Sequence, residues 1–138
     1  MECGRILALD YGVKNVGLAC CDELGVTVQP LPSVPNRGRR DLVGRLKAAA
    51  SKHGIERIVV GVPLNMDGSS GEAVRRVERV MEYLRAELAL PLDGFDERLS
   101  TTEAFEIWRQ MSLRQQRRYR TVDSLAAAMI LQRYLEET

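Results

Sequence analysis

Arg5-Ile6-Leu7-Ala8-Leu9-Asp10-Tyr11-Gly12-Val13-Lys14-Asn15-Val16-Gly17-Leu18-Ala19-Cys20-Cys21 is the stretch whose reading decides the fold. Arg5 to Asp10 is apolar between its ends and reads as a buried strand. Tyr11 to Asn15 is turn material, and Val16 to Cys21 is a second apolar run. Asp22-Glu23-Leu24-Gly25 makes another turn, and Val26 to Leu31 a third strand. Turns this short join antiparallel neighbours, so the chain opens with a three-stranded meander.

Outward from that hairpin the pattern changes. Pro30, Pro32, Pro35 and Gly38 read as a linker. Leu42, Val43, Leu46, Ala49 and Ala50 recur at helical spacing between Arg39 and His53, and Gly54 reads as a C-cap. Ile58 to Val62 is an unbroken β-branched run, as in a central strand covered on both faces. Pro63 to Gly71 is a loop. Ala73, Val77, Val80, Met81, Leu84 and Leu88 trace a second helix, and Pro91 to Phe95 a last strand. Ser100 and Glu103 form a capping box. Arg109 to Arg120 reads as an exposed basic loop or frayed helix. Thr121 caps a final helix whose core stripe draws on Leu125, Ala128, Met129, Leu131, Gln132 and Leu135. The expectation is one α/β domain over residues 1–138. It holds a mixed five-stranded sheet, meander first and βαβ units after, with helices on both faces.

Composition narrows the function. The 138 residues suffice for one real core, and no apolar run approaches the ~20 residues of a membrane helix. Without a signal-like N-terminus the expected compartment is the cytoplasm, with no membrane partner. Cys3, Cys20 and Cys21 offer no C-x-x-C pair and read as buried thiols. The net charge of +1 is uninformative, but 17 of the 20 basic residues are arginine, the residue suited to bidentate phosphate contacts. With His53 the sole histidine, at a helix end, histidine-based catalysis is disfavoured.

Three acids stand where chemistry would be placed. Asp10 closes the first strand, Asp96-Glu97 closes the last, and Asp123 lies in the first turn of the final helix. Each alone also has a plain structural use: a turn, a polar strand exit, a helix-dipole partner. Side chains alternate along a strand, so only one of Asp96 and Glu97 can face a common site. Ala126, Ala127 and Ala128 would let the helix approach the sheet and bring Asp123 near the strand ends. Phosphodiester cleavage needs an activated water and a stabilised leaving oxygen, which two divalent ions about 3.5–4 Å apart provide. Hard cations such as Mg²⁺ or Mn²⁺ take oxygen ligands, so convergent carboxylates suit them.

The opening stretch resembles the first motif of the YqgF/RuvX family, RNase H-like proteins described as Holliday junction resolvases and as pre-16S rRNA nucleases. The similarity continues through Val59-Val60-Gly61-Val62-Pro63-Leu64-Asn65-Met66-Asp67-Gly68, then Asp96-Glu97-Arg98-Leu99-Ser100-Thr101-Thr102-Glu103-Ala104, then Val122-Asp123-Ser124-Leu125-Ala126-Ala127. The resemblance implies an RNase H-like fold with Asp10, Glu97 and Asp123 as the catalytic, metal-holding acids. Asp10 would bridge two ions, with Glu97 holding one and Asp123 the other. The fourth strand carries no acid, unlike many nucleases of that superfamily. Asn15 stands where the family usually has Arg.

Candidate substrate contacts are Lys14, Asn65, Arg98, Thr101, Thr102 and the arginines Arg114, Arg117, Arg118 and Arg120. Trp108 and Tyr119 border the arginines and suit either base stacking or the core. Asp67, like Asp96, is an acid with a possible auxiliary role at the metal. The leading expectation is a metal-dependent nuclease maturing a ribosomal RNA precursor. Open alternatives are a junction-cutting resolvase, which would act as a homodimer on branched DNA, a non-catalytic nucleic-acid-binding factor, and an RNase H-related ATP-binding fold.

Overall fold

The computed structural model describes residues 4–63, 71–96 and 100–137, with backbone alone for 100–103. Along them run β1 (Ile6–Tyr11), β2 (Asn15–Cys21), β3 (Val28–Pro35), α1 (Arg39–His53), β4 (Arg57–Val62), α2 (Glu72–Glu87), β5 (Leu92–Asp96), α3 (Ser100–Gln110), α4 (Leu113–Tyr119) and α5 (Val122–Glu137). The strands form one sheet in the order β3-β2-β1-β4-β5. β1, β2 and β3 pair antiparallel, while β4 and β5 extend the sheet parallel to β1. This is the expected meander followed by crossover units. Both crossovers place their helices, α1 and α2, on one face of the sheet.

Strand alternation sorts the two cores. Leu7 and Leu9 of β1 join Leu18, Ile58 and Val60 against Leu42, Leu46, Val77 and Leu84 of α1 and α2. Ile6 and Ala8 point the other way, with Ala19, Cys21 and Val59, onto Ala127, Ala128, Ile130 and Leu131 of α5. Fully burying a side chain such as Ile130 or Leu131 contributes ~1.5–3 kcal/mol, so α5 is firmly seated. Its far side packs on α3 through Leu125, Ala126 and Ala104. Being covered on two sides, α5 is buried more broadly than a single stripe would give, although Gln132 is exposed. By alternation Asp10 shares the α5 face with Ile6 and Ala8.

Three sequence expectations need correction. Pro30, Pro32 and Pro35 are not a linker: they lie in β3, which runs to Pro35 and starts at Val28 rather than Val26. Proline lacks an N–H and is tolerated only at sheet edges or irregularities. β3 is an edge strand, and Pro32 falls where its register on β2 shifts, between Val16/Val34 and Leu18/Leu31. The Arg109–Arg120 stretch is largely helical. α3 runs on to Gln110, and a capping box between Ser112 and Gln115 starts α4. In α2 the buried residue of the first turn is Val74, while Ala73 is exposed.

Other expectations hold. Gly54 ends α1 with φ 63°, a conformation that glycine reaches without a Cβ penalty. Cys20 and Cys21 are buried free thiols, while Cys3 lies outside the described residues. Among the described residues no helix is long and apolar enough to cross a membrane.

Candidate active site

Asp10 sits near the carboxyl end of β1, directly opposite Gly17 of β2. Gly17 is where α5 touches the sheet. A Cβ on it would overlap the Asp123 carbonyl oxygen and lie 3.1 Å from the Asp123 Cβ. The missing side chain lets the first turn of α5 rest on the β-hairpin beside Asp10. Gly17 stood in the sequence only as part of the opening motif. Its role was hidden because its partner is remote in sequence.

A second device fixes the helix end. Thr121 is the N-cap: its Oγ1 accepts from the Ser124 amide at 3.0 Å and donates to the Ser124 hydroxyl at 3.0 Å. Ser124, fully buried, donates in turn to the Leu31 carbonyl of β3 at 2.5 Å. A hydrogen-bonded staple therefore ties the turn that carries Asp123 to the proline-rich edge strand. Sequence reading anticipated the cap but assigned Ser124 nothing.

The electrostatics follow from this packing. Burial, and secondarily the Asp123 charge, push the Asp10 carboxyl up to about 6. Burial also raises Asp123, despite the favourable field of the helix N-terminus. Neither carboxylate has a hydrogen bond or ion pair among the described residues. Asp10, raised by burial and by the Asp123 charge, and Asp123, raised by burial, have no cationic side chain paired with them among the described residues, and form a donor set that a divalent cation would complete.

Glu97, Arg98, Asn65 and Asp67 lie outside the described residues, as do the side chains of Thr101 and Thr102. Among the described residues no three His, Cys, Asp or Glu side chains group as metal ligands. By strand alternation Asp96 shares its β5 face with Leu92 and Gly94, the α2 face, and from its exposed position at the strand end it also borders the groove beside Phe95 and α5.

The basic candidates divide by position. Lys14 is exposed on the β1–β2 hairpin, at the Asp10 end of the sheet. Asn36 steadies that hairpin, donating through Nδ2 to the Gly12 carbonyl at 2.8 Å and through its amide to the Lys14 carbonyl at 2.8 Å. On α4, Gln116 donates to the Trp108 carbonyl at 2.9 Å, and Tyr119 packs inward. That leaves Arg114, Arg117 and Arg118 exposed on the outer surface, with no ion pair to them among the described residues. Arg120, also exposed, has φ 71° and ψ −60°. With the Thr121 amide donating to the Tyr119 carbonyl at 2.8 Å, this is a strained γ-turn that leads straight into the cap of α5. Trp108 and Tyr119 are half-buried among Ala104, Leu125 and Met129 between the helices, as the core alternative expects.

A mixed sheet with an acid on its central strand and a second acid at the start of the covering helix defines an RNase H-like protein. Relatives agree. A sequence model of the RuvX family, described as Holliday junction resolvase, matches residues 4–137. A Syntrophus aciditrophicus protein named "Putative pre-16S rRNA nuclease" is 42% identical over 132 residues, spanning 96% of this chain and 88% of its own. Proteins of the same name from Moorella thermoacetica and Geobacillus kaustophilus are 39% and 40% identical, spanning 94% and 97% of their own lengths and 96% of this chain. The chain belongs to the RuvX family. Its fold is shared with the fowlpox virus Holliday junction resolvase, at TM-score 0.56 and 12% identity over 97% of this chain and 99% of that one. Thermus thermophilus RuvC, solved with a Holliday junction substrate, superposes at TM-score 0.54 and 12% identity over 96% and 94%.

Proposed function

We propose that this chain is a single-domain, divalent-metal-dependent nuclease that hydrolyses phosphodiester bonds in structured RNA, in the processing of pre-16S rRNA. The observation that carries the reading is the convergence of Asp10 and Asp123 across Gly17, two raised carboxylates with no cationic side chain paired to them among the described residues. Relatives that match almost end to end carry the rRNA nuclease name.

In this reading Asp10 and Asp123, with Glu97, hold Mg²⁺ or Mn²⁺. Strand alternation puts Asp96 on the α2 face, so Glu97 is the acid of the Asp96-Glu97 pair assigned to the site. When bound, the cation lowers the pKa of a water and stabilises charge on the leaving oxygen. Asp10, with its carboxyl near 6, is ionised at neutral pH and ready to ligate. Gly17, Thr121 and Ser124 are positioning residues that hold Asp123 beside it. Arg114, Arg117, Arg118 and Arg120 on and after α4, with Lys14 on the hairpin, bind backbone phosphates. Arg98, Asn65, Thr101 and Thr102 contribute from the neighbouring segments. The compartment is the cytoplasm.

A second reading, cleavage of four-way DNA junctions by a homodimer, has the family's description in its favour. The test is cleavage of a precursor-like rRNA hairpin and of a four-way DNA junction, each with Mg²⁺, Mn²⁺ or EDTA. Metal-dependent cutting of the hairpin supports the proposal. Cutting of the junction alone would replace it with the second reading, and inert protein that still binds RNA would make the chain a binding factor.

A further inference from the structure

The net charge of +1 conceals an uneven distribution. Two runs, 24–40 and 107–122, contain no acid, and between them they hold eight arginines. The second run is α4 with its flanks, whose arginines bind phosphate in the proposed function. The first holds Arg37, Arg39 and Arg40 at the start of α1. The basic cluster on α2 is different in kind, because Arg75 and Arg79 are both paired to Glu72, at 3.4 Å each.

The fold joins the two acid-free runs at β3. On one side α4 touches this strand, the hydroxyls of Thr121 and Ser33 stand 3.5 Å apart, and Ser124 holds the Leu31 carbonyl. At its carboxyl end β3 passes into Asn36, which is fixed to the β1–β2 hairpin. The Asn36 amide donates to the Lys14 carbonyl and its Nδ2 to the Gly12 carbonyl, each at 2.8 Å. Its Oδ1 accepts from the Gly38 amide at 3.2 Å. Arg37 is thereby held between two anchored residues, beside the hairpin that carries Lys14 and at the Asp10 end of the sheet.

The first turn of α1 is fastened as well. Arg39 lays its guanidinium over the Tyr83 ring of α2, 5.0 Å from the centroid. The one acid of the helix, Asp41, is taken by Arg45 at 2.7 Å. Lys14, Arg37 and Arg40 are exposed, and among the described residues no hydrogen bond or ion pair reaches their side chains. Three uncompensated cations spread over a hairpin, a connection and a helix suit a repeating anion better than a single carboxylate, and arginine suits phosphate.

Position adds a constraint. α4 lies with α5 on one face of the sheet, and α1 covers the other. One helix layer on each side sets the two clusters ~20 Å apart. At ~3.4 Å per nucleotide, a backbone that touches both spans about six nucleotides and crosses the hairpin end of the sheet.

We propose that Lys14, Arg37 and Arg40 form a second nucleic-acid backbone site, which takes one arm of a folded substrate while α4 holds the other. The inference rests on the nuclease reading and deepens it: the substrate is gripped from both faces of the sheet, with the Asp10 end beneath it. Continuity of the two clusters through β3 favours nucleic acid over an acidic protein segment.

The test uses the full chain in EDTA, with fluorescence anisotropy on a labelled 24-nucleotide RNA hairpin, long enough to span both clusters. Arg37→Ala/Arg40→Ala should weaken binding about tenfold and lower the slope of log K against log salt by about two. Lys47→Ala/Lys52→Ala makes the same change in net charge at exposed positions two and three turns further along α1, and should bind as wild type does. Equal weakening by the two pairs would overturn the proposal, since a general field and not a contact would then be at work. Unchanged affinity and slope in Arg37→Ala/Arg40→Ala, with Arg114→Ala/Arg117→Ala/Arg118→Ala impaired, would overturn this site alone and leave the cluster to an acidic protein. Wild type that binds neither the hairpin nor a four-way DNA junction would sink the nuclease reading and this site with it.

Discussion

Replacing Asp10 with Asn should stabilise the metal-free protein at neutral pH. The Asp10 carboxyl is raised from 3.8 to about 6 by burial and by Asp123. A shift of that size corresponds to at most ~3 kcal/mol between protonation states, at about 1.4 kcal/mol per unit. The side chain keeps partial contact with water, so screening reduces this, and ~1–2 kcal/mol is the expected gain. The sign follows from linkage. A carboxyl raised in the folded state costs nothing below its unfolded pKa near 4. The cost grows between about 4 and 6 and is complete above 6. Urea unfolding of wild type and Asp10→Asn in EDTA, at pH 4 and pH 8, reads this directly. The variant should match wild type at pH 4 and exceed it by ~1–2 kcal/mol at pH 8. A gain that is equal at both pH values, or a loss at pH 8, would refute the argument that Asp10 is an uncompensated buried charge.

Gly17→Ala should destabilise the fold by ~1–3 kcal/mol, since the methyl meets backbone that cannot swing away. It should also lower cleavage more than substrate binding, as seen in the melting temperature and in separate kcat and KM values. Ser124→Ala leaves the Leu31 carbonyl without its donor inside the staple, at a cost of ~1–3 kcal/mol in chemical denaturation. Arg114→Ala/Arg117→Ala/Arg118→Ala should weaken RNA binding and lower the slope of log K against log salt by about two to three. An unchanged slope would remove α4 from the interface.

Much of the fold was legible in the sequence because its strands are short β-branched runs and its crossovers are amphipathic. The failures have physical causes. Prolines in β3 imitate a linker because a local reading does not know that a strand is at an edge, where a missing N–H costs little. From sequence the α4 stretch reads only as a loop or frayed helix because it buries no residue fully and is held by a capping box, which apolar periodicity does not register. For the site, Asp10 and Asp123 could be singled out as candidates from the sequence, but their juxtaposition could not. That depends on Gly17 lying against residue 123 and on Ser124 bonding to Leu31, contacts between segments about a hundred residues apart. Trp108 and Tyr119 show the converse. Flanking arginines made them resemble stacking residues, while three converging helices use them as packing.

The central claim is that Asp10 and Asp123 together hold the catalytic cation. The most direct measurement is a Mn²⁺ titration followed by electron paramagnetic resonance, on wild type, Asp10→Asn and Asp123→Asn, all shown to be folded by circular dichroism. Saturable binding by wild type, lost in Asp10→Asn and weakened in Asp123→Asn, is the predicted result. Undiminished Mn²⁺ binding by both folded variants would contradict it and place the metal, and the chemistry, elsewhere.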